Sequence, residues 1–150
     1  MDETDIEIIK ILQKSSKIPV KEIAKKINLS YTAAFMRILK LEKNGVIEKY
    51  AIRLDEPKIG RNFRAFITVR VDQHKNDPIE NVKLLTKLKE VETIDFISGD
   101  WDIIIRVGLK DIDHLREFIN KKLPHALPNA TCSQPIVILE HHFKEMEPLL

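Results

Sequence analysis

NLSYTAAFMRILKLEKNG, Asn28–Gly45, decides how this chain is read. Ser30 is placed to accept a hydrogen bond from the first turn of a following helix, and Gly45 supplies the left-handed cap that ends it. Between them Ala34, Phe35, Ile38 and Leu41 recur with helical spacing, which predicts that this stripe turns inward. Tyr31, Thr32, Ala33, Met36, Arg37, Lys40 and Lys43 are left facing outward, hydroxyls near the start of the helix and cations along it. Immediately upstream, Pro19 suits a first-turn position, and Val20, Ile23, Ala24 and Ile27 fall at i, i+3, i+4 and i+7. Two short helices joined by a tight turn, the second bearing exposed hydroxyl and basic groups, fit the helix-turn-helix arrangement that places a helix in the major groove of double-stranded DNA, the pattern alone also fitting an ordinary three-helix bundle with solvated lysines. Arg37 and Lys40 can meet phosphates or guanine edges, and Tyr31 and Thr32 can reach bases or backbone.

Outward from this stretch, a first helix is expected to run to about Lys14. Its N-cap is Asp2 or Thr4, Thr4 and Glu7 having capping-box spacing, and Ile6, Ile8, Ile9 and Leu12 give it an apolar stripe. Downstream, VIEKYAIRL alternates as a strand does and stands where the wing of a winged helix would. On the helix-turn-helix reading, residues 1–54 are expected to be a DNA-binding domain. DEPKIGRN, Asp55–Asn62, carries the proline and glycine of a hinge.

Residues 63–150 read as a second domain. FRAFITVRVD is a strand with Phe63, Ala65, Ile67, Val69 and Val71 on one face, followed by a helix capped near Asp77 with Ile79, Val82, Leu85 and Leu88 inward. ETIDFIS and DIIIRVGL are the next two strands. A helix capped by Asp111 or Asp113 carries Ile112, Leu115, Phe118 and Ile119 and ends at PHALPN, and TCSQPIVILEHHF is the last strand. The order βαββαβ predicts a four-stranded antiparallel sheet with both helices on one face. The expected fold class is therefore α+β, a winged helix-turn-helix followed by a ferredoxin-like domain. The uncovered sheet face is a candidate dimerisation surface.

Composition narrows the chemistry. The chain has 150 residues, 43% hydrophobic and 32% charged, and its apolar runs fall far short of the ~20 residues of a membrane span. With an acidic N-terminus unlike a signal peptide, it reads as cytoplasmic and without a membrane partner. The single cysteine, Cys132, cannot build a disulfide framework or a multi-cysteine zinc site. Four dispersed glycines form neither a dinucleotide fingerprint nor a P-loop. His141 and His142 are adjacent on a strand and point to opposite faces, no G-x-S-x-G occurs, and Cys132 has no local base, so no metal site or catalytic residue is assigned. Charge is uneven: residues 1–62 carry 13 Lys+Arg against 9 Asp+Glu, and residues 63–150 carry 12 against 14. A basic module with an anionic partner is followed by an acidic one.

SGDWD, Ser98–Asp102, puts a glycine, two carboxylates and the only tryptophan at the turn between the second and third strands of that acidic module. Gly99-Asp100 suits a hairpin turn. Beside an aromatic ring, the carboxylates and turn amides can also meet the ammonium and carboxylate of an amino acid.

LSYTAAFMRILKLEKNGVIEKYAIRLDEPKIG resembles the DNA-binding half of the Lrp/AsnC (feast/famine) regulators, through Asp2, Asp5, Leu29-Ser30, Thr32, Arg37, Leu41-Glu42, Gly45-Val46-Ile47, Tyr50 and Gly60. SGDWDIII, LPNA and IVILE resemble the effector-binding and oligomerisation half of the same family, so the likeness covers essentially the whole chain. It departs at Leu39, where a basic residue is frequent, and at Tyr31 and Ala33, where prolines are common, so base preference is not carried over. The resemblance implies a transcriptional regulator whose recognition helix exposes Ser30, Tyr31, Thr32, Ala33, Met36, Arg37, Lys40 and Lys43. It further implies an amino-acid effector held where dimers meet, by Gly99, Asp100, Trp101 and Asp102 with Thr131 and Ser133 nearby, and dimers that assemble to octamers. Pro135 stands where threonine is common. Two alternatives share the features: a siroheme-decarboxylase-like enzyme, for which a carboxylate-rich tetrapyrrole calls for a basic pocket, and a DNA-architectural protein without an effector.

Overall fold

The computed structural model describes residues 1–71, 77–132, 134–144 and 146. The chain divides into two compact units, one formed by Met1–Arg53 with the described part of the segment from His142, the other by Leu54–His141.

In the first unit α1 spans Glu3–Lys14, α2 Val20–Lys26 and α3 Tyr31–Lys43. Asp2, rather than Thr4, caps α1, and the capping box closes on Asp5: Asp5 N–H donates to Asp2 Oδ1 at 2.9 Å and Asp2 N–H to Asp5 Oδ2 at 3.1 Å. Pro19 is the residue before α2, its carbonyl accepting from Glu22 and Ile23 N–H, so it stands one position earlier than the first turn. Asn28 adopts φ 53°, which asparagine tolerates better than most side chains, and this lets the turn reverse over three residues. Ser30 Oγ accepts from Ala33 N–H at 3.2 Å and starts α3. Ile8, Ile23, Ile38 and Leu41 are the buried centre where the three helices meet. Phe35, expected to point inward, is instead 43% exposed and stacks on Tyr31 with ring centroids 6.2 Å apart. It lies at the edge of the stripe, where it lines an open cleft with Leu12, Val20 and Tyr50. The strand expected over VIEKYAIRL forms no ladder among the described residues, because a strand exists only beside a partner and none of the described residues pairs with it.

In the second unit β1 (Phe63–Arg70), β2 (Val91–Phe96), β3 (Ile103–Leu109), β4 (Thr131–Cys132) and β5 (Ile136–Val137) form one antiparallel sheet. Its order is β2-β3-β1-β4, with β5 also on β1. α4 (Pro78–Leu85) crosses from β1 to β2. α5 (Ile112–Glu117) runs through a π-helical turn, Phe118–Lys122, into α6 (Leu123–Ala126). Ala65, Ile67, Val69, Ile103, Ile105, Val107 and Leu109 point to one face and bury Leu85, Leu115, Phe118, Leu123 and Leu127 against them. This is the ferredoxin-like arrangement, with two departures from the sequence expectation, in α4 and in the last strand. The inward line of α4 is Asn81 and Leu85, while Ile79 in its first turn is 64% exposed. The second long helix ends at Ala126, within PHALPN as expected, having passed Pro124, because the π turn in front of it, with Leu123 N–H donating to Phe118 C=O, adjusts the ladder before a residue that cannot donate. The last strand is split: β4 pairs Val69 with Cys132, β5 pairs Ala65 with Val137, and the register slips by one residue between them, where Pro135 lacks a donor.

Asp55–Asn62 contains a short 3-10 turn, Pro57–Ile59, and its flanks are fastened to the sheet of their own unit. Arg61 Nη1 lies 3.1 Å from Glu92 Oε1, Arg106 Nε lies 2.9 Å from Glu92 Oε2, and Arg64 pairs with Glu56. Gly108 leaves the room for this, since a Cβ there would stand 2.1 Å from Glu92 Oε1 and 2.6 Å from Arg61 Nη1.

Candidate functional sites

The outward face of α3 is built by its register. With Ala34, Ile38 and Leu41 fixed in the core, Thr32, Met36, Lys40 and Lys43 are turned to the opposite side and are all exposed. Ser30 and Tyr31 lie at its N-terminus, exposed, and Ala33 is half-buried. An open cleft of about 700 Å³ runs beside this face, lined by Met1, Asp2, Asp5, Met36, Lys40 and Lys43 together with Arg37 and Leu39.

Arg37, expected among the outward cations, differs from the lysines. Its side chain is 34% exposed, and Nη1 donates to Asp2 Oδ2 and to Asp5 Oδ1, each at 2.7 Å. The bond from Arg37 holds the Asp2 carboxyl below its ordinary range, and the two carboxylates hold the guanidinium above its own.

The hairpin between β2 and β3 is anchored to the end of β1. Gly99 takes φ 119°, open to glycine and strained for other residues. Ile97 N–H donates to the Asp102 carbonyl at 3.0 Å, and Asp102 N–H donates to the Val69 carbonyl at 3.1 Å. Asp102 Oδ2 accepts from Val71 N–H at 2.9 Å. Arg70 Nε donates to the Asp100 carbonyl at 2.8 Å, Nη2 donates to the same oxygen, and the guanidinium carbon lies 5.1 Å from the centre of the Trp101 ring, a cation–π contact. Thr131 pairs with Arg70 across β1 and β4. The structure thus gathers Gly99, Asp100, Trp101, Asp102 and Thr131 around Arg70, whereas Ser133 lies outside the described residues.

Arg70 is the residue that sequence reasoning missed. It comes beside the acidic turn only through the pairing of Val69 with Ile103, which joins strands some thirty residues apart and leaves no local signal. Asp102 is also used differently from Asp100, since its carboxylate closes the hairpin onto β1, while the Asp100 side chain is on an exposed residue.

Two family models match the chain: winged helix-turn-helix DNA-binding over residues 1–48, and Lrp/AsnC ligand binding domain over residues 64–148. The HTH-type transcriptional regulator FL11 of Pyrococcus horikoshii is 31% identical over 98% of this chain and 95% of its own. Among solved structures, an AsnC family transcriptional regulator from Agrobacterium tumefaciens is 27% identical, covers 99% of this chain and 97% of its own, and superposes with a TM-score of 0.84. A Neisseria meningitidis transcriptional regulator solved as a complex with L-Met shares the fold at a TM-score of 0.86 and 22% identity, over 99% of this chain and 96% of its own.

Proposed function

The chain belongs to the Lrp/AsnC family of DNA-binding transcriptional regulators, and from that premise we propose that it reads an operator with α3 and responds to an amino acid bound at the Ser98–Asp102 hairpin. It is a regulator with a ligand-binding domain, not an enzyme. Among the described residues no helix is long and apolar enough to cross a membrane.

One observation carries the effector reading. The hairpin is closed from below by Arg70 and the Asp102 carboxylate, which leaves the exposed Asp100 side chain and the half-exposed Trp101 ring as its outer surface. An ammonium group is matched by Asp100, and an apolar side chain by the ring. The Neisseria relative, solved with L-Met, adds support for a free amino acid as the chemical class.

For DNA, Ser30, Tyr31, Thr32, Ala33 and Met36 are placed to meet base edges and sugar, and Lys40 and Lys43 to meet phosphate. A dimer would set two such helices about one helical turn, ~34 Å, apart. The dimer surface we assign is the uncovered sheet face, where Phe66 of β1 stands between Ile136 of β5 and Arg106 of β3, with Ile104 opposite Thr68 further along. Assembly of dimers to an octamer would bring hairpins together, so that effector occupancy and recognition-helix spacing are linked.

The test is isothermal titration of the full chain with each standard amino acid, followed by sedimentation of the chain with and without the best binder. Binding that disappears in Asp100→Ala, with DNA affinity retained in the absence of ligand, is the expected result. If no amino acid binds, or if binding survives both Asp100→Ala and Trp101→Ala, the hairpin is not the effector site.

A further inference from the structure

The three cations along α3 are not equivalent. Lys40 and Lys43 are exposed. Arg37 Nη1 instead spans Asp2 Oδ2 and Asp5 Oδ1, each at 2.7 Å, and these are the two residues that cap α1 through reciprocal bonds of 2.9 and 3.1 Å. One guanidinium therefore joins the N-terminus of α1 to the middle of α3. Asp5 is 8% exposed, so its carboxylate depends on this partner for neutralisation. Both aspartates also line the cleft that holds Lys40 and Lys43.

We infer that Arg37 is a positioning residue for DNA binding: with Asp2 and Asp5 it forms a clasp that fixes α1 against α3, while Lys40 and Lys43 make the phosphate contacts. The inference rests on the helix-turn-helix being the DNA-binding face and is independent of the effector. It reverses the ordinary expectation for an arginine in the middle of a recognition helix, which is that it reads guanine or binds phosphate.

Releasing the arginine separates the two roles. In the full chain, Asp2→Asn with Asp5→Asn removes the carboxylates but keeps side-chain oxygens able to cap α1. Affinity for a duplex selected by the parent chain from a random pool is measured by fluorescence anisotropy over a salt series. Measurements are made below the melting temperature of the least stable variant, found by circular dichroism. The clasp predicts that Arg37→Ala and the double asparagine variant each weaken binding by roughly tenfold, and that the triple variant is no worse than either, because one coupled unit has been removed. Arg37→Ala should leave the slope of log affinity against log salt unchanged, Arg37→Lys should recover part of the loss, and Lys40→Ala should reduce the slope by about one. If the double asparagine variant binds as tightly as the parent or tighter, or if Arg37→Ala itself lowers the slope by about one, Arg37 is a DNA contact and the clasp is overturned.

Discussion

Asp102→Ala removes the carboxylate that fastens the hairpin to the end of β1. Asp102 Oδ2 accepts from Val71 N–H at 2.9 Å, while the Asp102 backbone bonds to Ile97 and Val69 survive the substitution. Val71 is 8% exposed, so its amide cannot fully recover a partner from water. A hydrogen bond to a charged acceptor contributes about 1.5–3 kcal/mol, and the partial exposure of Asp102 places the expected loss near the lower end, about 1–2 kcal/mol. For a domain of this size each kcal/mol lowers the melting temperature by roughly 4–8 °C, so a fall of about 5–15 °C is expected. Asp100→Ala is the control, since Arg70 uses only the Asp100 carbonyl, and its effect should lie within about 0.5 kcal/mol. Asp102→Asn keeps an acceptor oxygen and should recover most of the loss. Urea denaturation followed by the fluorescence of Trp101, the only tryptophan and part of this hairpin, reads the second unit directly. Equal destabilisation by Asp100→Ala and Asp102→Ala would refute the division of labour between the two carboxylates.

Further outcomes test the rest of the second unit. Phe118→Ala, at a fully buried site, should cost about 3–5 kcal/mol in the same denaturation. Gly108→Ala should destabilise by about 1–3 kcal/mol, because the new Cβ displaces Glu92 from Arg61; equal or greater stability would mean that the ion pairs move aside freely. Glu90 is 2% exposed and its Oε1 lies 2.7 Å from Lys122 Nζ and 3.0 Å from His114 Nε2. Burial alone would raise its pKa, but the bonds from Lys122 and His114, with a backbone bond, outweigh it and hold the carboxyl below its ordinary value near 4.5. Its contribution is therefore fully present above about pH 4.5 and lost as the pH falls through the lower folded value, and Glu90→Gln should flatten that acid limb of stability against pH. Burial pushes the Cys132 thiol up, so at pH 8 it should react with iodoacetamide more slowly than free cysteine does, until urea exposes it.

Much of the fold was legible because it is written locally. Ser30 starting α3, Asn28 and Leu29 in a turn too short for anything else, and Asp77 and Asp111 capping the two domain helices are decided within a few residues. The alternation of Ala65, Ile67 and Val69 decides which face of β1 is buried. The errors share a cause. Phe35 and Ile79 belong to apolar stripes, but a stripe says only that one side is buried, and the width of the neighbouring element decides where burial stops. VIEKYAIRL alternates as a strand should, yet a ladder needs a second strand that the local sequence cannot supply. Of the candidate site residues, those in one hairpin or along one helix face were legible. Arg70 and the clasp of Arg37 with Asp2 and Asp5 join residues far apart in sequence.

By itself the sequence determined the order of elements, the recognition helix, the composition of the hairpin and the family likeness, because caps, turns and periodicity act over distances of one or two turns. Only the tertiary structure decided which charges are committed and which are displayed. Whether Arg37 meets an aspartate or solvent, and whether Asp102 or Asp100 closes the hairpin, depends on approaches of about 3 Å between elements separated by some thirty residues, where a carboxylate or guanidinium is held by whichever partner the packed core brings within reach.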